Sequence, residues 1–330
     1  MKQPQPGEVF AVLSRGVVMV SSVLVGVVAA RQLGPAGRGQ LAVIQSAVML
    51  VAPLFCLTLA HANLYFAAKE PARLGALVAN SLGLLLVNLI LLSGIALVWG
   101  SQELTRPTAI WLWCHMVLML SLTLAMGKGW IQRVNLTEIA VNLVWLAGLG
   151  WAVWSQRLSL HFVVYLRAAA SVLGGFALLL GLGGNATDAL RPDRPLLKSC
   201  WSYGLPITVA SFLSVALANV NQVSVAWLNG DDAAGLFAVA SQGGALLLFL
   251  PTSFIGVFMH RFVAMADNLS RLQEMHRLLP FWAGFLLLMS LVAGGTSFWW
   301  MTAVFGEPYR SCVPIFLWLL PGFWCLGVQQ

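Results

Sequence analysis

The 330-residue chain is 59% apolar and only 9% charged, with 18 Lys and Arg against 11 Asp and Glu. A water-soluble fold carries about 25% charged residues, so lipid is expected to solvate most of the surface, and a mean hydropathy of +0.85 agrees. The formal charge of +7 is spread over many short loops, with no basic stripe, arginine-rich arm or nucleic-acid fold signature. Nucleic acid is therefore excluded as a partner and the bases are read as topology signals.

In hydrocarbon every backbone N–H and C=O must be paired internally, which leaves helices or a closed barrel. The apolar runs lack strand-like alternation and are long enough to be spanning helices. Met1–Gly7 is short and polar, and the apolar run after it exceeds a signal-peptide core of about 7–15 residues. That run is expected to remain as the first span. About ten spans are expected, near residues 9–30, 41–66, 76–99, 109–126, 136–154, 162–183, 205–228, 234–259, 280–303 and 312–328.

With the N-terminus in the cytoplasm, eleven bases fall inside: Lys2, Lys69, Arg73, Lys128, Arg133, Arg191, Arg194, Lys198, Arg261, Arg271 and Arg277. Five fall outside, namely Arg31, Arg38, Arg106, Arg157 and Arg310. This bias supports that orientation over its mirror image. Trp99, Trp111, Trp113, Trp151, Trp154 and Trp227 lie near outer span ends, where indoles anchor. The outer loops are all short, which argues against an external catalytic domain. Sequon matches at Asn135, Asn185 and Asn268 fall on the cytoplasmic side and are read as chance. The five cysteines (Cys56, Cys114, Cys200, Cys312, Cys325) are scattered without CxxC or Cys/His spacing, so neither a disulfide framework nor a metal site is expected. No cofactor motif is present.

An internal repeat organises the chain. Leu33-Gly34-Pro-Ala-Gly-Arg-Gly39-Gln-Leu-Ala42-Val43 aligns without gaps to Asn229-Gly230-Asp-Asp-Ala-Ala-Gly235-Leu-Phe-Ala238-Val239 at an offset of 196. Each copy joins an outgoing to a returning span, and a proline follows (Pro53, Pro251). Six spans separate the copies, so two parallel six-helix halves are expected around an axis along the membrane normal. Residues 1–200 form the expected first lobe, and 201–330 supply four helices of an incomplete second lobe. The Gly34–Gly39 segment is a tight interhelical turn rather than a phosphate loop, since it lacks a following Lys-Ser/Thr and no strand precedes it.

Ionisable residues inside spans are expensive and commonly face a cavity. Arg15 in the first span and Arg167 in the sixth are candidates to hold a diphosphate, for which a guanidinium fork is suited. The bland alternative is snorkelling to headgroups. Arg15, Ser22 and Gly26 share one helical face. Glu138, one turn before Asn142, is a candidate for ion coupling, although pairing with Arg133 is the favoured expectation. His61, Asn63 and His115 lie in spans without a second histidine at metal spacing. Thr208, Ser211, Ser214, Ala218 and Asn221 form a stripe suited either to a hydrophilic path for sugars or to a close helix seam.

Ala29-Ala-Arg31-Gln-Leu33-Gly34-Pro35-Ala-Gly37-Arg38-Gly39 resembles the turn after the first helix of Wzx-type polysaccharide flippases, in the multidrug/oligosaccharidyl-lipid/polysaccharide (MOP) exporter superfamily. Leu64–Lys69, Tyr203–Pro206, Gly235–Ala240 and Phe305–Tyr309 are similar to landmarks of that family, in its order. The resemblance implies an all-α, MATE-like fold of two six-helix lobes enclosing a central cavity and working by alternating access. It implies a transporter rather than an enzyme, carrying a polyprenyl-diphosphate-linked oligosaccharide to the outer leaflet for polysaccharide or lipopolysaccharide assembly. Membrane lipids and other polysaccharide assembly proteins are the implied partners. Arg15 and Arg167 would attract the diphosphate; Asn63, Ser211, Ser214 and Asn221 would contact sugar. The family often has an Arg-x-Asp pair late in the seventh helix where this chain reads Asn219-Val220-Asn221-Gln222. A drug or cation antiporter of the same fold and a membrane polymerase or acyl transferase are the alternatives.

Overall fold

The computed structural model describes residues 6–56, 58–98, 104–183, 191–249 and 268–329. Lys2, Trp99, Asn185, Pro251 and Arg261 lie outside the described residues. Every regular element among those described is helical. In chain order they are α1 (Pro6–Phe55), α2 (Leu59–Lys69), α3 (Leu74–Val98), α4 (Thr105–Gly127), α5 (Ile131–Trp154), α6 (Leu160–Gly183), α7 (Arg194–Leu247), α8 (Asn268–Gly295), α9 (Ser297–Phe305) and α10 (Val313–Gln329). Short 3-10 turns occupy Pro71–Arg73 and Glu307–Cys312.

Eight helical stretches among the described residues are long and apolar enough to cross a bilayer. Two of them, of 43 and 54 residues, exceed a single crossing of about 17–25 residues. Each is two helices joined at a glycine, Gly34 (φ 69°, ψ −178°) in α1 and Gly230 (φ 85°, ψ 177°) in α7. Each therefore supplies two spanning segments, in keeping with about ten expected from hydropathy. The joint conformation is one that essentially only glycine adopts, and Gly34 and Gly230 are equivalent positions of the repeat.

The expected second span, 41–66, is not one helix. It stops at Phe55 and resumes at Leu59, with Thr58 left-handed at φ 70°. Backbone groups freed inside hydrocarbon must find partners, and a side chain of α3 supplies one, while Thr58 ties the break to α7. Asn88 Nδ2 on α3 donates to the Phe55 carbonyl at 2.9 Å, and the Thr58 hydroxyl donates to the Cys200 carbonyl at 3.4 Å. Gly204 on α7 presses on this break, where an added Cβ would lie 2.6 Å from the Thr58 carbonyl oxygen.

The described residues pack as two compact units. The first comprises Met1–Val25 and Gln40–Trp227, the second Gly26–Gly39 and Leu228–Gln330. In the first unit α4 is the central helix, packed on α2, α3, α5 and α6. Its Leu124 joins Ala62, Leu77, Leu196 and Cys200 in a buried apolar cluster. Gly175 on α6 lets that helix approach α4 closely, since a Cβ there would lie 3.0 Å from the Leu118 amide nitrogen.

The second unit is built on Ala30, Val239, Met301, Phe305, Tyr309 and Phe316. The Tyr309 hydroxyl donates to the Ala30 carbonyl at 3.1 Å in this core. Here the two repeat copies meet each other. A Cβ on Gly39 would overlap the Asp231 carbonyl oxygen, and a Cβ on Gly235 would overlap the Pro35 carbonyl oxygen. The repeat offset carries Gly39 to Gly235 and Pro35 to Asp231, so the two contacts are reciprocal, as in a self-complementary pairing.

Arg31 and Arg38, expected as outer-loop charges, are engaged in this unit. Arg31 donates to the Ala303 and Val304 carbonyls at the C-terminal end of α9, where a cation is favoured. Arg38 is buried, and its Nη2 donates to Gln242 Oε1 at 3.2 Å. Their role here is packing as much as topology.

Candidate functional site

The first unit gathers the membrane-embedded polar residues that the sequence singles out. Glu138 sits on α5 with Asn142 one turn further and Trp145 a turn beyond that, so helical periodicity aligns the three. Arg167 reaches across from α6. Its Nη1 donates to Asn142 Oδ1 at 3.2 Å, and its guanidinium lies 4.6 Å from the centre of the Trp145 ring. Asn142 Nδ2 in turn donates to the Glu138 carbonyl at 2.8 Å, fixing the carboxamide so that its oxygen faces the arginine. The Trp145 indole donates to the Val163 carbonyl at 3.3 Å, which locks the ring beneath the guanidinium. A cation held over an indole gains roughly 0.5–2 kcal/mol, more as water is excluded.

Glu138 and Arg167 are half-buried, whereas Arg15 on α1 is exposed. Trp111 Nε1 and His115 Nδ1 on α4 and the Ser171 hydroxyl on α6 are buried without a hydrogen-bond partner among the described residues. Trp111 and Trp145 are neighbours, their ring centres 6.5 Å apart.

The favoured partner for Glu138, Arg133, is engaged elsewhere. Its guanidinium lies 4.1 Å from the centre of the Trp130 ring, and the Lys128 ammonium lies 4.3 Å from the same centre. Sequence reading also missed Trp145 as the platform for Arg167. The signal was present, because Trp145 follows Glu138 by seven residues, two helical turns on the same face.

The expected sugar contacts are placed apart from this cluster. Asn63 is fully buried between α2 and α3, where its Nδ2 donates to the Ser81 hydroxyl at 2.9 Å. Its Oδ1 has no partner among the described residues. On α7, Ser214 and Asn221 are exposed and Ser211 is half-buried, whereas Thr208 is buried. The Ser214 hydroxyl donates back to the Ala210 carbonyl at 3.1 Å. Ala218, on the same stripe, is exposed as well.

At one end of the first unit, Tyr65 on α2 stacks on Tyr203 of α7, ring centres 4.2 Å apart at 19°. Lys69 donates to the Tyr65 hydroxyl at 3.0 Å, and this bond raises the ammonium above its ordinary pKa. The stack joins two segments that the sequence marks as family landmarks.

No family model matches the sequence, and no curated protein matches it. Solved structures do match. The inward-facing conformation of a multidrug resistance MATE family transporter of the MOP superfamily superposes with a TM-score of 0.64 at 13% identity, covering 94% of this chain and 79% of that one. A MOP superfamily transporter from Pyrococcus furiosus, described as having a binding pocket of reverse polarity that suggests a different function, gives 0.58 at 13% identity over 95% and 76% of the two chains. The outward-facing conformation of a multidrug resistance MATE family transporter gives 0.54 at 14% identity over 99% and 82%. The chain is a multi-pass helical membrane protein, and its fold is similar to that of these solved structures.

Proposed function

We propose that the chain is a flippase for a polyprenyl-diphosphate-linked oligosaccharide, moving it from the cytoplasmic to the outer leaflet by alternating access in the inner membrane. The observation that carries this reading is the placement of Arg167, whose guanidinium is held on a spanning helix by Asn142 and the Trp145 ring. It has no ion pair among the described residues, and an unneutralised charge at membrane depth is costly. A diphosphate supplies the missing anion and accepts several charge-assisted hydrogen bonds. The exposed Ser214 and Asn221 on α7 offer neutral hydrogen-bond partners suited to sugar hydroxyls. In this reading residues 1–200 and 201–330 are the two lobes, and the N-terminus is cytoplasmic.

The second reading is a drug or cation antiporter of the same fold. It is favoured by Glu138, an acid within a span that is suited to carry a coupling proton or cation, and by the multidrug transporters among the structural neighbours.

The test is sidedness of lipid-linked oligosaccharide in cells that depend on this protein, with wild type against Arg15→Ala and Arg167→Gln. The flippase reading expects cargo to accumulate facing the cytoplasm while the variants stay in the membrane at wild-type levels. Normal sidedness at normal protein levels removes the reading. Loss of resistance to cationic drugs in Glu138→Gln, with export intact, favours the antiporter.

A further inference from the structure

A cavity of about 590 Å³ opens between the start of α3 and the segment leading into α7, lined by Arg73, Arg191, Arg194 and Asp193 among others. It lies wholly within the first unit and shares no residue with the Glu138–Asn142–Arg167 cluster. Arg73 pairs with Glu70 at 3.1 Å, and the Asp193 carboxylate accepts the Leu196 amide at 3.0 Å, directed at the first turn of α7. The lining thus holds three arginines against one carboxylate. Arg191 and Arg194 are exposed, and neither guanidinium has a hydrogen bond or ion pair among the described residues.

The segment carrying them is held rather than loose. Asn80, buried on α3, grips the backbone of Asp193 with both ends of its carboxamide. Its Nδ2 donates to the Asp193 carbonyl, and its Oδ1 accepts the Asp193 amide, each at 3.2 Å. A buried side chain is thus spent on fixing the residue between the two free arginines. Pro192 and Pro195 flank it and limit the backbone further. Two forked cations are thereby presented at the rim of one cavity, next to the apolar surface of a spanning helix.

We propose that this cavity is a binding site for a phosphate ester, the headgroup of an anionic membrane lipid. Arg191 and Arg194 clasp the phosphate oxygens, for which the guanidinium fork is matched, and the lipid tail lies against the exposed apolar side chains of α3. Basic pockets between spanning helices hold anionic headgroups by the same physics. The proposal does not depend on the identity of any transported cargo.

The test uses the full chain in nanodiscs of phosphatidylcholine with and without phosphatidylglycerol, with lipid retention read by native mass spectrometry. Wild type is expected to retain phosphatidylglycerol in preference to phosphatidylcholine. The double variant Arg191→Gln/Arg194→Gln is expected to lose about fivefold in retention per arginine, roughly twenty-five-fold in all. Both positions are exposed, so the fold survives the change. A charge-matched control, Lys128→Gln/Arg133→Gln, is expected to retain the lipid as wild type does. Inorganic pyrophosphate is the second arm. If it displaces the lipid from wild type but binds nothing in the double variant, the site takes phosphate groups in general; if lipid is retained in its presence, the site requires the headgroup on its bilayer. Equal retention by wild type and the double variant, or equal loss in the charge-matched control, overturns the proposal.

Discussion

Replacing Gly39 or Gly235 with alanine is expected to destabilise the second unit, although alanine is the better helix former. A methyl group on Gly39 overlaps the Asp231 carbonyl oxygen and comes within 2.8 Å of both the Asp231 carbonyl carbon and the Gly235 amide nitrogen. On Gly235 it overlaps the Pro35 carbonyl oxygen, with the Pro35 carbonyl carbon at 2.8 Å and the Gly39 amide nitrogen at 3.1 Å. Cβ atoms essentially never approach another atom within 3.0 Å. The obstacles are backbone, not the ends of flexible side chains, so relief requires the two helices to part. Overpacking of this kind costs about 1–3 kcal/mol, against a propensity gain of at most about 1 kcal/mol for Gly→Ala. The net expectation is a loss of about 1–2 kcal/mol for each single variant. Because both methyls enter one seam, the second should cost less than the first, and the double variant should fall short of additivity by about 0.5 kcal/mol or more. Thermal unfolding of the purified chain, followed by tryptophan fluorescence, measures this against Gly83→Ala, whose Cβ meets nothing within 4 Å. If Gly39→Ala unfolds at the temperature of Gly83→Ala or above it, the reciprocal contact does not constrain the fold.

Two further changes test the polar packing. Asn88→Leu removes the donor that satisfies the Phe55 carbonyl at the break before α2, and should cost about 1–3 kcal/mol of stability; urea or thermal unfolding compared with Asn88→Gln measures it, and a neutral outcome means the break needs no side-chain partner. Tyr309→Phe deletes the buried bond to the Ala30 carbonyl while keeping the ring, so a loss of about 1 kcal/mol is expected, readable in the same unfolding experiment and refuted by an unchanged midpoint.

What the sequence made legible depended on periodicity and repetition. Span positions followed from run length, because hydrocarbon leaves the backbone no alternative to internal pairing. The repeat went further than expected, since its offset relates the two kinked glycines, Gly34 and Gly230, and also the two reciprocal close contacts of Gly39 and Gly235. The break at Cys56–Thr58 was not legible. Its hydropathy is continuous with the span, and the break shows only in tertiary contacts: the Asn88 carboxamide on the Phe55 carbonyl and the Thr58 hydroxyl on the Cys200 carbonyl. The contacts of Arg31 and Arg38 were hidden for a related reason: loop position speaks to the side of the bilayer a charge is on, not to whether a carbonyl or carboxamide waits beside it.

The site shows the same division more sharply. Pairing Glu138 with Arg133 assumed that closeness in sequence means closeness in space, yet five residues along an α-helix turn the side chain by roughly 140°. The two therefore face different ways, and Arg133 turns to Trp130. Asn142 and Trp145, four and seven residues on, return to the face of Glu138 and meet Arg167 there. That much was available from spacing alone. That Arg167 of α6 is the group this face meets was not, because it depends on how α5 and α6 are rotated about their own axes. Two candidates separate in the sequence, Arg167 and Glu138, are thereby carried by one packed pair of helices, joined through the Asn142 carboxamide, which accepts from the arginine and donates to the Glu138 carbonyl.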